Sequence, residues 1–115
     1  MAEIGIIETL HASHGSQSHE HDFKIEIVLE GKIDPQTEFV EGIDHYKVIA
    51  ELKRILTKLE NQDLKEILAH EGYSSSCNES LATYFIRSLR DQFPIKYVKV
   101  WETDNRYAIV YANEV

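Results

Sequence analysis

Two kinds of apolar periodicity divide the chain. From Phe23 to Leu29 the apolar residues Phe23, Ile25, Ile27 and Leu29 hold the odd positions, while Lys24, Glu26 and Glu30 mostly take the even ones. Such alternation marks a half-buried strand. The segment before it alternates in its own register, with Ile4, Ile6, Leu10, Ala12 and His14 on one face. Strands are therefore expected from about Glu3 to His14 and from about His19 to Ile33, paired as an antiparallel hairpin and closed by the turn signal Asp34-Pro35-Gln36-Thr37. After Gly42 the period changes to three and four. Tyr46, Val48, Ile49, Leu52, Ile55, Leu56 and Leu59 form the stripe of a helix of about four turns, with Asp44 placed to cap it. Glu51, Lys53, Lys58 and Glu60 lie off that stripe and read as a solvated face. Asn61 to Tyr73 reads as a polar connection with a short helical turn around Leu64 to Leu68, and Ser74-Ser75-Ser76 breaks it. Ser76-Cys77-Asn78-Glu79 has the S-x-x-E form of a capping box, and Leu81, Ala82, Phe85, Ile86 and Leu89 make a second helical stripe that ends before Pro94. Two further strands, about Ile95 to Glu102 and Tyr107 to Ala112, are joined by Thr103-Asp104-Asn105-Arg106.

The order β-β-α-α-β-β predicts an α+β domain, a four-stranded antiparallel sheet with both helices on one face. With 115 residues and 43% of them hydrophobic, the chain suits one domain spanning 1–115 with a core of its own, and no internal repeat is visible. The formal charge of −8 disfavours sequence-independent binding to nucleic acid or to an anionic membrane surface. A phosphorylated small substrate remains compatible, given local cations or a metal. One cysteine excludes an internal disulfide and fits a reducing compartment. The opening Met-Ala-Glu-Ile lacks the basic-then-apolar form of a signal sequence, and no apolar run approaches the roughly 18 residues of a membrane span. A soluble cytoplasmic protein is the expectation.

Four of the six histidines fall between Leu10 and Phe23. Parity sorts them: His14 shares the core face of the first strand, His19 and His21 share the apolar face of the second, and His11 points the other way. If Gly15-Ser16-Gln17-Ser18 is a four-residue hairpin loop, His14 and His19 are directly opposed with Cβ atoms about 5 Å apart. His21 then lies one pleat further on, opposite the small Ala12. Three imidazoles around one point, with a fourth position open to water or substrate, is the arrangement of a catalytic zinc site. The competing reading is a polar strand end in a solvated loop. Shared parity and a loop of the right length favour zinc over it.

The same residues carry a resemblance that extends over nearly the whole chain. Ala12-Ser13-His14 is similar to an A-[AS]-H motif, His19-Glu20-His21-Asp22-Phe23-Lys24 to H-G-H-x-[FY]-x, Val28 to Thr37 to the strand and turn that follow, and Val98-Lys99-Val100-Trp101-Glu102-Thr103 to a closing V-x-V-x-E-T. In this order they resemble the 6-pyruvoyl-tetrahydropterin synthase and 6-carboxy-tetrahydropterin synthase family. The resemblance implies a tunnelling fold whose sheets join into a trimeric barrel, often doubled to a hexamer, with sites between subunits. It implies zinc as cofactor, His14, His19 and His21 as its ligands, and a pterin-type small molecule as substrate. It implies that Glu102 anchors the pterin ring, since a carboxylate can accept two N–H bonds from a 2-amino-4-oxo pyrimidine edge; an ordinary strand-end glutamate is the other reading. Cys77 and Asn78 occupy the position of the family's polar T-[ST] pair beside the pterin, although Cys77 equally suits a helix start as a small apolar residue.

Departures from the family pattern bear on mechanism. The cysteine general base, four residues before the first histidine of H-x-H, falls on Gly15, and Ser16, Gln17 and Ser18 supply no glutamate of the kind a related subgroup uses. The proton-relaying L-D-H aligns with Leu59-Glu60-Asn61, which has no imidazole, and Ile43-Asp44-His45 imitates it on the wrong side of the long helix. Glu20, in place of the glycine of H-G-H, is turned away by parity, while Glu60, His11 and His45 are available to a neighbouring subunit. No catalytic residue is assigned. The expected function is a zinc-dependent pterin lyase or synthase acting on dihydroneopterin triphosphate or a related dihydropterin. The alternative is a homologue that binds zinc and pterin without the synthase activity.

Overall fold

The computed structural model describes all residues, 1–115. Its elements run β1 (Ala2–His14), β2 (His19–Gly31), α1 (His45–Leu59), α2 (Leu64–His70), α3 (Asn78–Leu89), β3 (Ile95–Thr103) and β4 (Arg106–Tyr111), followed by a 3-10 turn over Ala112–Glu114. The four strands form one open sheet in the order β1-β2-β3-β4, every neighbouring pair antiparallel. This is the α+β arrangement the alternation predicts. Strand ends differ from the sequence expectation by a residue or two, and the final turn is tighter, because Arg106 already pairs with Thr103.

One face of the sheet carries Leu10, Phe23, Ile25, Ile27, Val98 and Val100, all buried. Against it pack the stripes of α1 (Val48, Leu52, Ile55, Leu56, Leu59) and α3 (Leu81, Ala82, Phe85, Ile86, Leu89), giving a single cluster of buried apolar side chains. The period-of-two stripes and the period-of-3.6 stripes thus meet face to face, which is why neither needs a second layer. The opposite face is polar and aromatic. There Lys24, Glu26, Lys99, Trp101 and Tyr107 interlock: the Trp101 indole N–H donates to Glu26 at 2.7 Å, and the Lys99 ammonium stands 4.6 Å from the Tyr107 ring centre.

Asp44 caps α1 as expected, its carboxylate accepting from the amides of Tyr46 and Lys47. Three expectations change. Tyr46, placed on the α1 stripe by spacing, is 85% exposed in the first turn of the helix. The short turn around Leu64 is a helix of its own, so three helices rather than two cover the sheet; Asp63 caps it at the Lys65 amide, and Leu64 and Leu68 anchor it in the core. Ser76 is not the cap of α3. The helix starts one residue later, its N-cap is Cys77 with no side-chain capping bond, and the Ser76 side chain is used elsewhere.

The connection between α1 and α2 ties down one end of the β1 edge. The amide of Asn61 donates to the His11 carbonyl at 2.7 Å, the Ser13 amide donates to the Gln62 carbonyl at 3.0 Å, and Ser13 bridges to Asp63. Asn61 has φ +60°, a left-handed conformation that asparagine accepts more readily than most residues. No helix is long and apolar enough to cross a membrane.

Candidate metal centre

The β1–β2 register pairs His14 with His19 and Ala12 with His21. This is the pairing that parity and a four-residue loop require. The loop is closed by the Ser18 amide donating to the Gly15 carbonyl at 3.2 Å. Both Gly15 (φ +84°) and Ser18 (φ +46°) turn through the left-handed region. At Gly15 a second constraint acts: a Cβ there would lie 2.7 Å from Cε1 of His19. The ring of His19 therefore lies close over Gly15, and a side chain at position 15 would require it to shift.

The three rings meet edge to face, with centroids 4.6, 5.2 and 4.8 Å apart, and His14 and His21 also abut the buried Phe23. Glu102, from the end of β3, reaches into the middle of them. Its Oε1 stands 2.9 Å from Nε2 of His14, 3.1 Å from Nε2 of His21 and 3.7 Å from Nε2 of His19. One donor atom from each of the four side chains lies within 4.8 Å of all the others. His14 is buried, while the His19 side chain is about half exposed and forms the rim.

Hydrogen bonding fixes what these nitrogens offer. Nδ1–H of His14 donates to the Ser76 carbonyl at 2.8 Å, which leaves Nε2 as the nitrogen turned inward, 2.9 Å from Oε1 of Glu102 and within hydrogen-bond distance of it. Ser76 also accepts, through Oγ, the Gly15 amide at 2.9 Å, so one residue holds both the first histidine and the loop. Nε2 of His21 is buried with no hydrogen-bond partner, since the 3.1 Å approach of Glu102 is out of line for one. Burial lowers the His21 pKa, with His14, His19 and Arg106 adding to the shift against the opposing pull of Glu102, and the neutral ring is favoured. For Glu102, burial would raise the carboxyl, but the His14 contact, the nearby His21 and Arg106 outweigh it and hold the group below the ordinary carboxylate value. Three imidazole nitrogens and a carboxylate converging on one point form a donor set for a divalent cation. The His14–Ser76 bond is the outer contact that fixes tautomer and ring orientation in such sites.

The model of the 6-pyruvoyl tetrahydropterin synthase family matches residues 6–113. The chain belongs to this family. It is 30% identical over 99 residues to 6-pyruvoyl tetrahydrobiopterin synthase of Homo sapiens, spanning 84% of this chain and 67% of that protein, and 30% identical over 100 residues to that of Poecilia reticulata, spanning 84% and 66%. Among solved structures, 6-pyruvoyl tetrahydropterin synthase of Caenorhabditis elegans superposes with a TM-score of 0.83 over 96% of this chain and 94% of its own, at 17% identity. That of Plasmodium vivax gives 0.70 over 95% and 96%, at 13% identity. The fold is thus the tunnelling fold of this family.

The remaining residues singled out from sequence lie as follows. His11 sits on the opposite face of the hairpin, as parity requires, with Nδ1 2.7 Å from Asp22 and its amide directed at the Glu60 carboxylate. Glu20 faces the same side, 3.8 Å from His11. Cys77 and Asn78 open α3 directly after Ser76. The thiol lies 3.3 Å from the Ser80 hydroxyl, and Oδ1 of Asn78 is buried without a partner. His45 heads α1 beside Phe39 and Ile43, among residues distinct from the histidine trio. Two contributors escaped the sequence: Ser76, and Arg106, whose guanidinium is 3.6 Å from Oε2 of Glu102. A serine just before a helix reads as a cap, and a turn arginine as solvated. Only the four-residue spacing from Glu102 across the β3–β4 turn hinted at the second.

Proposed function

We propose that the chain is a zinc-dependent pterin lyase or synthase, acting on dihydroneopterin triphosphate or a related dihydropterin. One observation carries the reading: the Nε2 atoms of His14, His21 and His19 stand 2.9, 3.1 and 3.7 Å from one carboxylate oxygen of Glu102, and the Ser76 carbonyl occupies Nδ1 of His14 so that Nε2 is the nitrogen turned inward. Imidazole nitrogens gathered this closely around a carboxylate oxygen are a donor set that suits a divalent cation. In this reading His14, His19 and His21 hold the metal. A bound zinc would supply Lewis acidity to side-chain oxygens of the substrate.

The chain's own residues do the rest. Ser76 holds His14 in its tautomer and the Gly15 amide in place, fixing the floor of the site. Glu102, kept ionised by its neighbours, offers acceptors to the N–H edge of a pterin. Cys77 and Asn78, which follow Ser76 at the start of α3, are read as pterin-side residues on the family resemblance, and Oδ1 of Asn78 is buried without a partner. The family's cysteine base has no counterpart at Gly15, where a side chain would be strained at φ +84° and would press on the His19 ring. The proton-transfer group is thus different from the family's, and a positioned base contributes typically about 10²–10⁴-fold. The single unpaired cysteine fits a cytoplasmic location.

The test is turnover of dihydroneopterin triphosphate by the zinc-loaded protein, followed as dihydropterin products, with His19→Ala as control. Product formation that His19→Ala abolishes is expected. Stoichiometric zinc and pterin binding without product would assign the chain instead to a homologue that binds without the synthase activity.

A further inference from the structure

We propose that Glu102 is itself a fourth protein ligand of the metal, so that the site is closed by protein when no substrate is present. The proposal rests on the zinc reading above and goes beyond it, since a trio of histidines with an anchoring glutamate nearby would leave the fourth position open.

Geometry supports the assignment. Zinc–nitrogen and zinc–oxygen bonds of about 2.1 Å in a tetrahedron place neighbouring donor atoms about 3.4 Å apart. The Oε1 atom of Glu102 lies 2.9, 3.1 and 3.7 Å from the three Nε2 atoms, values that bracket this separation. The contact to His14 is also within hydrogen-bond distance, but a hydrogen bond to one histidine does not require the same oxygen to stand within 3.7 Å of the other two. Its side chain is only 15% exposed, and its two oxygens face different ways: Oε1 toward the histidines, Oε2 toward Arg106 at 3.6 Å.

This division of labour reconciles two roles. Oε1 completes the donor set, while Oε2 remains the oxygen on which a pterin N–H can land. Arg106, 66% exposed at the rim, is the group a ligand must displace or share to reach it. Arg106 is accordingly a positioning residue, holding the carboxylate so that Oε1 stays among the histidines.

An open and a closed fourth position respond differently to small anions. The probe is the full-length protein loaded with Co²⁺ in place of zinc, its visible spectrum recorded with increasing thiocyanate, alongside Zn²⁺ affinity measured by competition with a chromophoric chelator. The wild type is expected to keep its spectrum unchanged through the titration. Glu102→Ala is expected to bind one metal at least about ten-fold more weakly and to change its spectrum as thiocyanate enters the vacated position. Glu102→Gln, which keeps the side-chain volume, should show the same loss of affinity if Glu102→Ala is poorly folded by circular dichroism. A wild-type spectrum that responds to thiocyanate would overturn the proposal, and so would variants that bind metal as tightly as the wild type. Neither result would touch the histidine assignment, which fails separately if the wild type binds no metal or if His19→Ala binds it undiminished.

Discussion

Gly15 shows most plainly how one residue shapes the site. Its positive φ and the 2.7 Å approach of the His19 ring both disfavour a side chain, which would be strained and would have to move the outer edge of that ring. Gly15→Ala is expected to cost about 1–3 kcal/mol from backbone strain, with further loss from displacement of the ring. Urea unfolding should show the loss, and metal affinity should fall with it. Gly15→Cys is expected to shift the His19 ring and so to weaken metal binding, read out by the same affinity measurement. Ser76 is the residue that sequence reading misplaced. Its S-x-x-E context has the form of a capping box, but its partners are His14 and Gly15, more than sixty positions away in the chain. A local motif and a tertiary hydrogen bond drew on the same hydroxyl, and nothing in the sequence says which takes it.

At the scale of elements, the β1–β2 hairpin was legible because period-two alternation and loop length together leave one register that buries the apolar set. That register alone selects His14, His19 and His21 and sends His11 to the other face. The short α2 was less legible, since seven residues give one i, i+4 pair, Leu64 and Leu68, too little periodicity to distinguish a helix from a turn. Glu102's place among the histidines was not legible from spacing, because β2–β3 pairing brings it there from across the sheet. The hairpin also makes a pH prediction. His11 titrates above its ordinary value, chiefly through the hydrogen bond to Asp22. A raised folded-state pKa adds stability that is fully present below the unfolded value near 6.5 and is lost as pH rises through the folded value. Asp22→Asn should therefore lower the melting temperature more at pH 5.5 than at pH 9, and an equal effect at both would contradict the pairing.

The molecule measures 52 × 26 × 23 Å, and the thirteen-residue strands of the hairpin set its long axis. Such a sheet has two edges. That of β1 is tied to the α1–α2 connection at its His11 to Ser13 end, leaving Ala2 to Leu10 unpaired, while β4 presents Arg106–Tyr111. Unpaired edges of this length favour pairing with another chain. We propose that they meet in the homotrimer or homohexamer expected from the family resemblance. Light scattering should give a mass of three or six chains, whereas a monomer would contradict the edge-pairing account. The central claim is narrower than the assembly, since it concerns what the four converging side chains hold. Zinc bound per chain, measured after purification without chelators, tests it most directly: one zinc per wild-type chain and its loss in His19→Ala are predicted. A wild-type protein without zinc, and unable to take it up, would contradict the account.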